Sequence, residues 1–127
     1  MKLKTEKIFQ PMNDNDNKIR MPDESCKIKN IEPIDIGKYQ NLESVMSAFS
    51  NKLRLAILDA LLKYGELCTC ELVPATGMAQ PTVTSNLQKL YSTGIIKKRE
   101  EWKYTYYYID PKYLDIVRKI LLLCNDQ

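Results

Sequence analysis

The sequence contains no histidine among its 127 residues, and this absence limits the chemistry available to the chain. Histidine is the commonest metal ligand and the commonest general base in proteins. A metal site would therefore depend on other ligands, and we do not expect an enzyme. A Cys-x-Cys thiol oxidoreductase is the enzymatic alternative, but the chain shows no thioredoxin-like alternation of strands and helices.

Long apolar runs are also missing from the sequence. No stretch approaches the roughly 18–20 apolar residues that a membrane-spanning helix requires. Residues 1–10 contain lysines but no apolar core followed by a small-residue cleavage site, so they do not resemble a signal peptide. We therefore expect a cytoplasmic protein with no membrane partner. The net charge of +3 is too small to indicate a nucleic-acid partner by itself.

Residues 1–38 differ in composition from the rest of the chain. Pro11, Pro22 and Pro33 interrupt this segment, apolar residues are sparse, and residues 13–17 are all asparagine or aspartate. These features predict a flexible or partly ordered N-terminal arm. Its basic and acidic residues nearly cancel, so the arm is not a basic tail that would bind DNA by charge. Residues 39–127 are predicted to form a single domain.

The apolar residues of this domain recur at helical spacing in five segments. The predicted helices cover about 39–49, 53–64, 71–76 and 80–93, and a last helix begins at Asp110-Pro111. Segments 95–99 and 104–109 are rich in β-branched and aromatic residues and predict a β-hairpin with its turn at 100–103. The predicted fold class is mainly α with a β-hairpin wing (α+β). It is a winged helix-turn-helix of order ααααββα.

The second helix of the predicted helix-turn-helix follows the tight turn at residues 77–79. In this motif the second helix docks in the major groove, where short hydroxyl and amide side chains can bond base edges or phosphates. The hairpin adds basic residues beside Trp102. The predicted DNA contacts are Gln80, Thr82, Thr84, Ser85, Gln88, Lys89, Lys98, Arg99 and Lys103. Taken singly, each of these residues is equally compatible with an ordinary solvated surface.

The four cysteines are Cys26, Cys68, Cys70 and Cys124. In a cytosolic protein the default state is the reduced thiol, used for metal binding, redox sensing or packing. The Cys-x-Cys spacing of Cys68 and Cys70 favours a metal or reactive centre over a structural disulfide. Soft sulfur ligands select soft ions. Two cysteines do not complete a site for such an ion, so a further ligand must come from elsewhere in the protein.

Several strings in residues 42–111 resemble the ArsR/SmtB family of metal-responsive repressors, of the arsenic- and cadmium-sensor type. The most specific string is Glu-Leu-Cys-Thr-Cys-Glu-Leu at 66–72, and the others are at 49–55, 80–87, 94–96 and 102–111. The resemblance implies a homodimer, paired through its first and last helices, that binds a near-palindromic operator in double-stranded DNA. Its implied effector is As(III) or Sb(III), or else Cd(II) or Pb(II), bound at Cys68 and Cys70. No organic cofactor is implied.

The resemblance also bears on the missing sulfur ligand. The cadmium and lead sensors of the family use a cysteine of the N-terminal arm, which favours Cys26. Other members use C-terminal cysteines, so Cys124 is the second candidate. A second zinc site on the last helix of relatives needs histidines, and we predict that this chain lacks it.

Three departures from the family pattern fall on the DNA-binding elements. The family usually has Arg-His where Ser85 and Asn86 stand, and serine where Ala79 stands. The hairpin also has Glu100 and Glu101 in place of the usual glycine. These changes leave the predicted fold intact but make the operator sequence unpredictable.

The sequence therefore predicts a transcriptional repressor whose affinity for operator DNA falls when a thiophilic ion binds. Two alternatives remain open. The first is a thiol-redox-sensing regulator with the same DNA role, and the second is a winged-helix protein-assembly module that does not bind DNA.

Overall fold

The structure, a computed structural model, describes residues 30–124. Residues 30–35 are exposed and have no regular secondary structure. A 3-10 turn over Ile36–Tyr39 begins a compact unit that the structure describes from residue 35 to residue 124, and the Asp35 carboxylate caps this turn by accepting a hydrogen bond from the N–H of Gly37. Most of the predicted arm, residues 1–38, lies outside the described residues, so the arm stays a prediction.

Five α-helices form most of this unit, each with a start or stop that the sequence explains. They are α1 (Gln40–Phe49), α2 (Lys52–Tyr64), α3 (Thr69–Thr76), α4 (Gln80–Thr93) and α5 (Pro111–Leu122). The side-chain oxygen of Asn51 caps α2 by accepting hydrogen bonds from the backbone N–H groups of Leu53 and Arg54. Gly77 and Gly94 end α3 and α4 in the left-handed conformation, which glycine adopts without steric cost.

Three short strands form an antiparallel sheet in the order β1-β3-β2. They are β1 (Leu67–Cys68), β2 (Ile96–Glu101) and β3 (Tyr104–Ile109). Strands β2 and β3 form the hairpin that we call the wing, with Ile96 opposite Ile109 and Glu101 opposite Tyr104. Strand β1 pairs with the other edge of β3, which attaches the segment between α2 and α3 to the wing.

The predicted fold class is confirmed, with corrections at three points. Strand β1 was not predicted, because two residues carry no readable periodicity. Helix α3 begins at Thr69 instead of near Glu71. The predicted turn at 100–103 was wrong by two residues: Glu100 and Glu101 belong to β2, and only Trp102 and Lys103 form the turn.

The core lies where α2, α3 and α4 pack against the base of the wing. Its largest fully buried side chains come from α2, α3, α4, α5 and the segment that begins β2, which therefore fold around one core. These side chains are Ile57, Leu58, Leu61, Leu72, Val83, Leu87, Leu90, Ile95, Ile96 and Val117. Within residues 30–124 there is no helix long and apolar enough to span a membrane.

Candidate nucleic-acid interface and thiol site

Helix α4 presents a polar face opposite its buried side. Val83, Leu87 and Leu90 anchor the helix in the core. The other side forms a shallow, open groove lined by Gln80, Pro81, Thr84, Ser85 and Gln88. The four polar residues of this group are all exposed, as a surface that reads base edges must be. The structure thus brings four predicted DNA contacts together on one face.

Two other predicted contacts on α4 lie outside this groove. Thr82 is half-buried, and its backbone carbonyl accepts a hydrogen bond from the Asn86 side chain. Lys89 is exposed and lines a separate depression shared with Ser44 and Ser47 of α1. Lys89 is therefore separated from the four polar residues that line the groove.

Sequence reasoning missed a polar link between α4 and the preceding helices. Asn86 is 8% exposed, and its carbonyl accepts from Arg54 Nη1 at 3.2 Å while its amide donates to Thr82 O at 2.9 Å. Arg54 Nε also donates to Ala48 O, near the end of α1, at 2.8 Å. One guanidinium thus joins α1, α2 and α4. A buried asparagine needs such partners. No local pattern in the sequence pairs Asn86 with Arg54, 32 positions away.

The wing carries its cations next to aromatic rings. Lys98 Nζ lies 4.7 Å from the centroid of the Tyr91 ring at the end of α4. Lys103 Nζ lies 5.9 Å from the Trp102 centroid and 5.7 Å from the Tyr104 centroid at the tip. Both ammonium groups belong to exposed residues, so both can meet a phosphate.

Arg99, the remaining predicted DNA contact, is held by carboxylates. Its guanidinium donates to both oxygens of Glu66 at 2.8–3.0 Å and also to Glu101. These hydrogen bonds hold the pKa of the Glu66 carboxyl below its ordinary value and raise the pKa of Arg99. A DNA contact by Arg99 would require this arrangement to open.

Cys68 and Cys70 meet at the junction of β1 and α3. Cys68 is 5% exposed and is the N-cap residue of α3, whereas Cys70 is exposed in its first turn. The two sulfur atoms are joined as a disulfide, and the Cα atoms are 5.4 Å apart. The Cys68 N–H donates to the Glu71 carboxylate at 2.9 Å, which fixes the start of the helix.

The convergence of these sulfur atoms shows that the local backbone can direct both side chains to one point. The disulfide differs from the reduced state that the sequence favoured, and a bonded pair offers no thiolate to an ion. Reduction must therefore precede any ion binding at this pair. Cys70 also borders a shallow surface pocket with Leu67, Glu71 and Pro74, so this cysteine of the pair is reached from solvent.

Of the two candidates for a further sulfur ligand, the structure describes only Cys124. Cys26 lies outside the described residues. Cys124 is exposed just beyond α5, where it lines a pocket with Asp59 and Arg118. Among residues 30–124 no three cysteine, aspartate or glutamate side chains cluster as a metal site. Cys124 is therefore not grouped with Cys68 and Cys70 inside this chain.

Comparison with known proteins identifies the family to which this arrangement belongs. The profile of the bacterial regulatory proteins of the arsR family matches residues 51–98. The arsenical resistance operon repressor of Staphylococcus xylosus is 30% identical over 87 residues, which cover 68% of this chain and 83% of that protein. The chain belongs to the ArsR family. The family resemblance read from its sequence strings is thereby confirmed.

Other members extend the comparison of this ArsR-family regulator. A cadmium resistance transcriptional regulatory protein, a CadC homolog of Staphylococcus aureus, is 32% identical over 91 residues, covering 71% of this chain and 70% of that protein. The homodimeric winged helix-turn-helix DNA-binding domain of a possible ArsR-family regulator from Mycobacterium bovis superposes with a TM-score of 0.64 at 30% identity. The match covers 70% of this chain and 82% of that domain.

Proposed function

We propose that this ArsR-family protein is a homodimeric transcriptional repressor whose operator affinity falls when a thiophilic ion binds the reduced Cys68–Cys70 pair. The observation that carries the proposal is the position of the pair. Cys68 caps α3, the first helix of the helix-turn-helix, and α3 packs directly on the DNA-reading helix α4. The cysteines are assigned a sensing role, with no catalysis, in a cytoplasmic protein.

The DNA-binding part of the proposal rests on the exposed face of α4 and the cations of the wing. Gln80, Thr84, Ser85 and Gln88 would read base edges from the groove that they share. The DNA phosphate backbone would be contacted by Thr82, Lys89, Lys98 and Lys103, together with Arg99 when its ion pair opens. Contact with phosphates requires positive charge, and three of these five residues are exposed lysines.

The homodimer is supported by apolar side chains that α1 and α5 leave in solvent. Leu42 is 53% exposed, Met46 is 48% exposed and Ile116 is 45% exposed, and all three line one groove between these helices. Pairing two copies through this groove would remove the apolar surface from water. The Mycobacterium bovis relative, described as homodimeric, is consistent with this assembly.

The proposed effector is As(III) or Sb(III), or else Cd(II) or Pb(II). Soft thiolates select such ions, and relatives carry names for arsenical and cadmium resistance. Trivalent arsenic takes three thiolates in a pyramid, so we propose that Cys26 completes the site, from either subunit. Cys124 is the second choice, because within one chain it is not grouped with the pair.

Fluorescence anisotropy of a labelled duplex from the region upstream of the protein's own coding sequence tests the proposal. The titration is made under a phosphine reductant, with and without arsenite or cadmium. We expect either ion to raise the Kd by about 5- to 150-fold, a coupling of about 1–3 kcal/mol. Cys68→Ser and Cys26→Ser should abolish the response, whereas Cys124→Ser should retain it. If the ion concentration that releases the wild type from the duplex also released Cys68→Ser, the assigned site would be rejected.

The disulfide in the structure supports a second candidate function, in which oxidation itself is the signal. Two thiols and one molecule of hydrogen peroxide would give the Cys68–Cys70 disulfide and two molecules of water. The two sulfur atoms are joined in the described chain. In this case the ion is dispensable, and the same DNA role is switched by the redox state of the pair.

Peroxide titration separates the two functions. A redox sensor would change its Kd for DNA on oxidation, and the phosphine reductant would reverse the change with no ion present. Mass spectrometry would then find a loss of two hydrogen atoms in the peptide that contains both cysteines. An equal Kd for the oxidised and reduced protein would exclude this alternative.

A further inference from the structure

We infer that Glu66 is a positioning residue that couples the state of the Cys68–Cys70 pair to the wing through its contact with Arg99. The inference rests on the proposed function, because it concerns how that site reaches an element that would touch DNA. Glu66 stands directly before strand β1, two positions from Cys68, and Arg99 lies in the middle of strand β2.

The sheet register provides the first part of the connection. Cys68 on β1 stands opposite Tyr106 on β3, and Tyr106 stands opposite Arg99 on β2. The three residues therefore form one row across the whole sheet. The Arg99 guanidinium also lies over the Tyr106 ring, 4.9 Å from its centroid. A shift of the Cys68 backbone is thus passed to β3 through a pairing only two residues long.

The Glu66–Arg99 contact links the residue just before β1 to β2, across β3. Arg99 Nε donates to both carboxylate oxygens, at 3.0 and 2.9 Å, and Nη2 donates to one of them at 2.8 Å. This forked geometry fixes direction as well as distance, which a single lysine ammonium would not do. Strand β1 is consequently linked to β2 by side chains and to β3 by backbone pairing.

Stabilisation of the fold does not account for this contact. The Arg99 and Glu66 side chains are 44% and 38% exposed, and ion pairs at such exposure contribute little to folding. The contact does connect β1, which carries Cys68, to the wing, and the proposed function requires these two elements to be coupled. When Cys68 and Cys70 move to hold an ion, or are released from their disulfide, Glu66 must move with β1, and Arg99 carries that movement to the wing.

Glu66→Gln tests the inference because it removes the charge and the fork at nearly constant volume. The matched control is Glu101→Gln, which removes the other carboxylate on Arg99 but lies on the wing itself, off the route to Cys68. For the wild type and both variants, the Kd for the upstream duplex is measured in three states: reduced, reduced with cadmium, and peroxide-oxidised.

We expect Glu66→Gln to reduce the ratio of Kd values between states by about 2- to 30-fold relative to the wild type. Glu101→Gln should keep the wild-type ratio. The combination of Glu66→Arg with Arg99→Glu should restore part of the ratio, because the pair is re-formed with its charges exchanged. We expect nearly the same Tm for all variants. A residue that only stabilised the fold would leave the ratio of Kd values unchanged, so a reduced ratio at an unchanged Tm would support a positioning role.

A second measurement needs no DNA. Trp102 is the single tryptophan of the chain and stands at the wing tip, 91% exposed, so its fluorescence reports on the wing. Reduction of the pair, or cadmium added to the reduced protein, should change its emission in the wild type and in Glu101→Gln but not in Glu66→Gln.

The outcomes distinguish the inference from the function on which it rests. Equal ratios for the wild type and Glu66→Gln, in a protein that does respond, would overturn the inference alone. A wild type whose Kd is the same in all three states would overturn the proposed function and the inference together.

Discussion

At the residue scale, Asn86 shows how a position next to the polar face of α4 can serve the fold instead. Its neighbour Ser85 is exposed in the groove of α4, whereas Asn86 is turned inward and held by Arg54 and the Thr82 carbonyl. Sequence reasoning named both positions as departures from the family pattern, but only Ser85 as a predicted DNA contact. The structure separates them, because one side chain faces solvent and the other is buried.

We expect Asn86→Ala to lower the free energy of unfolding by about 1–3 kcal/mol, because it leaves a half-buried guanidinium short of an acceptor. Urea unfolding followed by circular dichroism measures the change. Ser85→Ala is the matched control: its unfolding free energy should stay within about 0.5 kcal/mol of the wild type, while its DNA affinity falls. A stability loss that is the same for both variants would contradict this assignment.

At the element scale, the wing hairpin is formed with a residue that its turn disfavours. Trp102 and Lys103 are the two turn residues, and Trp102 has a φ of 63°. A two-residue hairpin turn with positive φ at its first position ordinarily holds glycine there. The helices were easier to predict than this hairpin, because their apolar spacing, Asn51 and the terminal glycines all act locally. Strand β1 and the turn depend instead on pairing with β3.

Trp102→Gly should raise the free energy of unfolding by up to about 1 kcal/mol, because relief of the left-handed strain exceeds the entropic cost of glycine. Differential scanning calorimetry would show the change as a higher Tm. The adjacent substitution Lys103→Gly is the control, since Lys103 has no positive φ, and it should lower the Tm. If Trp102→Gly lowered the Tm as well, the strain would not be real.

At the scale of the whole molecule, the local parts of the candidate site were predictable from the sequence and its long-range contacts were not. The Cys68–Cys70 pair was predictable from its string, as was the polar face of α4. The Arg54–Asn86 link and the Glu66–Arg99 pair were not, because each joins residues more than thirty positions apart through geometry that no local pattern encodes. The groove between α1 and α5, lined by exposed apolar side chains, is the surface through which we propose that two copies pair.

The assembly yields a prediction of its own. Ile116→Asp places a carboxylate in the groove shared with Leu42 and Met46, so we expect it to shift a dimer to monomers. Light scattering coupled to size exclusion measures the mass, and the DNA affinity should fall as half of the contacts are lost. Arg118→Asp, on the other side of α5, places the same carboxylate elsewhere and should remain dimeric. A dimeric Ile116→Asp variant would show that the contact lies on another surface.

The link through Arg54 has a consequence for the operator itself. The guanidinium fastens α4 to the end of α1, the helix that we propose pairs the two subunits. The distance between the two reading helices of a dimer is then set inside the protein and not by adjustment on the DNA. A fixed distance between these helices tolerates changes of the base sequence between the half-sites better than changes of the spacing. One base pair inserted between the half-sites should therefore lower the affinity more than a base substitution at the same place.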